Sequence, residues 1–302
     1  MTYSILARDA ASGEMGVASQ SQALALGSGV PWALPGHGVI ATQSMGEPAY
    51  GELGLEALRA GLTAPEALTA LRSVDPHPER RQVAMIDGHG QIALYTGEAC
   101  VAAAGDRIGD GCCAVANMVA GEAVWENMVS TFETTPGSLA NRLLMALHAA
   151  EDAGGDIRGQ RSAAVLVVQA ERSGRPWQDT VMDHRVDDHE DPVAELERLV
   201  TATVHYQEVV GAFEQALDGD PTTAAERIDA VPAEVCSDQP DLTMWRAIVW
   251  ALAHRDAEAT DAFSALGRVA PQFIGVARGF ADAGLVPPER LDAVLPSDRV
   301  HG

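Results

Sequence analysis

MTYSILARDAASGEMGVASQS, residues 1–21, is the stretch whose reading decides the fold. Tyr3, Ile5 and Ala7 alternate with Ser4, Leu6 and Arg8, and apolar residues occur on both faces. Asp9–Gly13 (DAASG) is a turn, and EMGVA (14–18) returns as a second strand. A hairpin that is apolar on both sides is a buried one. Residue 2 therefore stands at the very edge of a buried hairpin. A threonine there can be an accident of the start codon. Methionine aminopeptidases remove Met before a small residue, so Thr2 is also the expected mature N-terminus. A free N-terminal threonine carries a hydroxyl nucleophile and an α-amine, pKa about 8, that can serve as its base.

Outward from this hairpin the pattern remains mixed. GHGVIATQS (36–44) reads as a buried strand, and residues 51–74 as two helices, the second opened by a Thr63…Glu66 capping box. QVAMIDGHGQIALYTG (82–97) is a hairpin about Asp-Gly-His-Gly. CCAVANMVAG (112–121) is a strand interrupted by one polar residue, Asn117. Residues 138–156 form an amphipathic helix ending at Gly154-Gly155, and RSAAVLVVQAE (161–171) a further strand. Strands and helices in this order predict helices packed on stacked sheets. At Asp191-Pro192, an N-cap followed by Pro at N1, the period changes from two to 3.6. We expect two domains, 1–190 and 191–302, the second all-helical. Its PDLTMWRAIVWALAHRDAEATDAFSALGRVAPQF (240–273) reads as a helical hairpin with Ala247, Trp250, Ala259, Phe263 and Pro271 in tetratricopeptide-like order.

The 302 residues carry a net charge of −23, which argues against nucleic acid or an anionic membrane as partner. Hydrophobic residues make up 47% but aromatics only 5%, so the core is built from small aliphatics. There is no lysine, which excludes a Schiff-base lysine, hence pyridoxal-phosphate chemistry, and a P-loop. The start has no basic or long apolar leader segment, and no stretch is long enough to span a bilayer. The four cysteines, Cys100, Cys112, Cys113 and Cys236, have no metal-binding spacing and read as reduced thiols of a cytoplasmic protein.

Several other residues invite a functional reading beside a structural one. Asn117, among apolar neighbours, is either a cross-strand hydrogen-bonding residue or a donor to a developing oxyanion. Gln43-Ser44, at the end of a strand, and Ser19 and Ser21 raise the same question. Asp156, Arg158 and Ser162 lie between a helix and a strand; Arg158 either clamps a substrate carboxylate or pairs with Asp156. The carboxylates and His189 of VDDHEDP (186–192) suggest helix capping and solvation rather than a metal site, and no metal or other cofactor is expected.

Taken together, these stretches resemble the Ntn-hydrolase-like family catalogued as domain of unknown function 1028. The matching pieces are residues 1–21, VPWALPGHGVIATQSMGEPAYGELGLEAL (30–58), RRQVAMIDGHGQIALYTG (80–97), ANMVAG (116–121), GGDIRGQRSAAVLVV (154–168) and HRVDDHEDPVAEL (184–196). The resemblance implies an α+β fold, a four-layer αββα Ntn-hydrolase sandwich followed here by an all-α helical-hairpin domain. It implies that Thr2 is the nucleophile and that an amide bond is hydrolysed through an acyl-enzyme; it supplies no substrate. One departure is Arg161, which stands where the family pattern has Gln before Ser162. On this basis we expect an amidohydrolase acting on a small amide or ureido compound. Thr2 and Asn117 would be catalytic, and Ser19, Ser21, Gln43, Ser44, Asp156, Arg158 and Ser162 would bind substrate. The chain is expected to self-associate, with its helical tail open to a protein partner. The rival expectation is a non-catalytic binding or assembly module.

Overall fold

The computed structural model describes residues 2–237 and 239–296, the side chain of residue 237 excepted. The fate of Met1 and the last six residues of the expected helical domain lie outside the described residues. The chain divides into two compact units, 1–200 and 201–302.

The opening hairpin is β1 (Thr2–Arg8) and β2 (Met15–Ser21), paired Tyr3 to Gln20 and Arg8 to Met15. Next come β3 (Pro31–Leu34) and β4 (Gly38–Ser44). Helices α1 (Ala49–Arg59) and α2 (Ala64–Val74) follow, and Thr63 and Glu66 form the reciprocal capping box that their spacing predicts. The hairpin β5 (Arg81–Asp87) and β6 (Ile92–Thr96) precedes β7 (Gly105–Ile108) and β8 (Cys112–Asn117). Helices α3 (Ala123–Thr134) and α4 (Leu139–Asp152) lead to β9 (Ser162–Val168) and β10 (Thr180–Val186).

The strands form two antiparallel sheets, one ordered β10-β9-β2-β1-β8-β7 and one ordered β3-β4-β5-β6. β1 is thus central, flanked by β2 and β8. Alternation along it explains its two-sided apolar character. Leu6 packs with Val17, Val115, Val39 and Ile86 between the two sheets. Tyr3 and Ile5 point the other way, into a cluster with Met128 and Phe132 of α3 and Leu143 and Leu147 of α4. The outer side of the smaller sheet, Ile40, Val83 and Met85, is covered by Tyr50 and Leu58 of α1 and Ala67 and Leu68 of α2. This close approach needs glycine: a Cβ on Gly51 would lie 2.3 Å from the Trp32 ring. Both faces of both sheets are therefore apolar, and the polar residues between them stand out.

Asp191 caps α5 (Pro192–Leu217) through a 3.1 Å bond from the Ala194 N–H. Val193, Leu196 and Val200 belong to the core of the first unit, and the division into units falls inside this helix. The second unit continues as α6 (Pro221–Ala230), α7 (Ala233–Ser237), α8 (Pro240–Leu252), α9 (Asp256–Val269), α10 (Gln272–Asp282) and α11 (Pro288–Asp292). Its own core contains Ala247, Ile248, Ala259 and Phe263. No helix among the described residues is long and apolar enough to cross a membrane.

Candidate active site at the start of the central strand

Thr2 begins β1 and lies 5% exposed on the wall of a cavity of about 250 Å³. The other walls are the loop from Ala23 to Val30 and the end of β4, Thr42 to Ser44, with Gly46 and Pro48. Two of these wall residues, Ala25 (φ 54°) and Ser44 (φ 71°), hold left-handed backbone that non-glycine residues rarely adopt. Such strain persists only where surrounding structure enforces it, and it concentrates at functional sites.

The Thr2 side chain donates to Ser21 Oγ at 3.2 Å, and Ser21 Oγ also accepts from the Ala23 N–H at 3.0 Å. The Thr2 carbonyl accepts from Gln43 Nε2 at 2.9 Å, reaching across from the other sheet, and from Asn117 Nδ2 at 3.4 Å. Asn117 is register-paired with Thr2. Both amides converge on Gln82, whose Oε1 accepts from Gln43 Nε2 at 2.7 Å and from Asn117 Nδ2 at 2.9 Å. Gln82 Nε2 in turn donates to Ala116 O at 2.8 Å and Thr96 Oγ1 at 3.0 Å. Gln43 Oε1 accepts from Ser4 Oγ at 2.6 Å, and Ser4 Oγ contacts Ser19 Oγ at 2.8 Å. Gln43, Gln82 and Asn117 are buried, so this inter-sheet amide network works in a low dielectric, where each bond is strong and each unmade bond costly. Asn117 Oδ1 is buried without a partner.

Of the expected site residues, Thr2, Gln43 and Ser44 line the cavity, and Ser21 and Asn117 touch Thr2. Ser19 lies one hydrogen bond behind, on Ser4. Ser162 Oγ donates to Ala23 O at 2.7 Å and accepts from the Leu26 N–H at 3.2 Å, so it holds the cavity loop from behind. Asp156, its side chain fully buried, accepts from the Gln22 N–H at 3.1 Å and from Arg158 Nη2 at 3.0 Å. Arg158 pairs with Asp156, as one of its two readings has it. Arg161 points to Asp188, 2.9 Å away, and is not among the cavity residues. Sequence reasoning missed Gln82, the hub of the network.

On the opposite face of β1, the Tyr3 hydroxyl donates to Glu151. Burial, with that carboxylate, pushes the Tyr3 phenol well above its ordinary range, and burial raises Glu151. This pair ties β1 to α4. The four cysteines are free thiols, and burial lifts Cys112 to about 12. Among the described residues no group of three or more His, Cys, Asp or Glu could hold a metal ion.

The model of a family of unknown function, DUF1028, matches residues 2–196. The chain belongs to the DUF1028 family. A DUF1028 protein from Silicibacter pomeroyi has a crystal structure that superposes with a TM-score of 0.60 at 31% identity, over 66% of this chain and 88% of that one. The Anbu (ancestral beta-subunit) protein from Yersinia bercovieri is 12% identical over 67% of this chain and 96% of its own; its TM-score of 0.33 is too low to bear on the fold. No curated protein matches. The DUF1028 match begins at Thr2, takes in every residue of the amide network and ends in the first turns of α5.

Proposed function

We propose that the chain is an N-terminal-nucleophile amidohydrolase in which Thr2, bared by loss of Met1, attacks a small amide or ureido substrate. The observation that carries this reading is the setting of Thr2: first residue of a central strand, on a cavity wall, its carbonyl clamped by amides from both sheets. The layering of a helix pair, two stacked antiparallel sheets and a second helix pair agrees with the Ntn sandwich.

In the proposed reaction Thr2 Oγ1 adds to the substrate carbonyl carbon as its proton passes to the α-amine, directly or through a water. The C–N bond then breaks and the leaving nitrogen takes that proton, which leaves an ester on Thr2. Water, deprotonated by the same amine, attacks the ester; a carboxylic acid (a carbamic acid from a ureido substrate) departs, and the Thr2 oxygen takes the proton back from the amine. We assign the oxyanion to a backbone N–H near Ser44 on the cavity wall, other than that of Met45, which donates to Arg80 O at 3.3 Å. The Asn117 Nδ2 protons are engaged by Gln82 and the Thr2 carbonyl, so Asn117 serves mainly by holding Thr2. Because the base is an amine, the acid limb of kcat/KM falls near neutrality, well above the carboxylate range.

The test is intact mass followed by a β-lactone probe, which acylates a nucleophilic hydroxyl. The expected result is a protein lacking Met1 that gains one adduct on Thr2, with none in Thr2→Ala. Met-free protein that stays unlabelled would defeat the reading and favour a binding or assembly module.

A further inference from the structure

The helical unit holds a second cavity, of about 340 Å³, lined by Cys236, Pro240, Thr243, Arg246, Trp250 and Leu266 among others. This volume lies within the range of small-molecule sites, about 300–1,000 Å³. The walls are mainly apolar. Thr243 is already engaged, its hydroxyl donating to Cys236 O. Arg246 is the one cation on the lining. Its guanidinium stacks on Trp250, 4.6 Å from the ring centre, and Nη1 makes only long contacts, 3.3 Å to Val231 O and 3.5 Å to Cys236 Sγ. Nε is buried without a partner.

Three other arginines of the unit are placed differently. Arg227, Arg255 and Arg290 of the same unit each sit on a carboxylate. The chain carries 43 acidic residues against 20 basic ones, so acidic partners are plentiful. Among the described residues none is ion-paired with Arg246. A partly desolvated guanidinium with an unpaired N–H is costly until an anion meets it.

We infer that this cavity binds a small organic monocarboxylate with an apolar body, its carboxylate on Arg246 and its body against Trp250, Leu266 and Pro240. A neutral ligand would desolvate the guanidinium further without a charge to offset its own. A doubly charged one would bring a second charge into an apolar pocket with a single cation to meet it. Planar, two-oxygen carboxylate matches the guanidinium fork.

The full chain is titrated with hexanoate and 4-phenylbutyrate, and with hexanamide as the neutral match, by calorimetry and tryptophan fluorescence. We expect saturable binding of at least one acid and at least roughly tenfold weaker binding of the amide. Arg246→Gln should weaken the acid by at least roughly tenfold with helicity unchanged. Ala265→Leu, which fills the cavity from a different wall residue, should abolish binding and decides the matter if Arg246→Gln does not fold. No saturable binding of either acid at about 1 mM, equal affinity for acid and amide, or binding indifferent to Ala265→Leu would each overturn the proposal.

Discussion

At the scale of single residues, the site is a nucleophile candidate held by three buried amides. Thr2→Ala removes only the hydroxyl and methyl of one end residue, so it should fold normally and lose all amide hydrolysis. Thr2→Ser keeps the hydroxyl and should retain part of the rate; turnover by Thr2→Ala at the wild-type rate would remove Thr2 from the chemistry. Gln82 gives a separate prediction. Gln82→Leu strips the acceptor shared by Gln43 and Asn117 and leaves buried N–H groups unpaired at about 1–3 kcal/mol each. We expect a loss of about 2–4 kcal/mol in urea unfolding. Asn117 was legible because a lone polar residue in an apolar strand needs a partner, and Gln43 because it stands in a polar end of a buried strand. Gln82 was not, because it follows Arg80-Arg81 at the head of its strand, where polarity looks like a loop ending. Which partner an amide takes is a matter of sheet stacking, and no local pattern carries it.

At the scale of elements, the strands that the sequence reading passed over are β3, β7 and β10, and all three are sheet edges. β3 starts at Pro31 and β7 is four residues with Asp106-Arg107 exposed, so neither shows a long apolar alternation. α3 was passed over too: Glu122 makes no side-chain cap, and its run mixes β-branched with polar residues. Buried central strands and capped helices, by contrast, announce themselves by period and punctuation. One junction carries a pH prediction. Asp75, at the end of α2, accepts from Arg81 Nε at 2.9 Å and from the Tyr50 hydroxyl at 3.0 Å, and its side chain is only 5% exposed. Arg81 also donates to Met45 O at 2.6 Å, next to Ser44 of the cavity. The Arg81 hydrogen bond leads in lowering the Asp75 carboxyl from the usual 3.8 to about 2. A depressed folded pKa gives stability that is present above about pH 4 and is lost as pH falls towards about 2. Each pKa unit is about 1.4 kcal/mol, so the pair contributes about 2 kcal/mol at neutral pH. Asp75→Asn should cost about that much at neutral pH and much less near pH 2; equal losses at both would show that the carboxylate charge is not the cause.

At the scale of the whole chain, the change of period at Asp191-Pro192 marks where a helix begins, and a helix start need not be where one core ends. Val193, Leu196 and Val200 are 1%, 0% and 5% exposed in the core that also contains Tyr3, Leu143 and Val165. Burying such side chains gives about 1.5–3 kcal/mol each, an upper bound because the unfolded chain already hides some apolar surface. Three of them together approach the whole stability of an ordinary domain, about 5–15 kcal/mol. A fragment ending at residue 190 would lose all three and expose the surface they cover; one ending at residue 200 keeps them. We therefore expect fragment 1–200 to be monodisperse on size exclusion with a cooperative thermal transition, and fragment 1–190 to aggregate or melt far lower. The comparison isolates ten residues and leaves the sheets untouched, so it separates the start of α5 as a fold element from the start of α5 as a linker. If 1–190 proves as soluble and as stable as 1–200, those three side chains add little to that core, and the change of period is also the structural boundary.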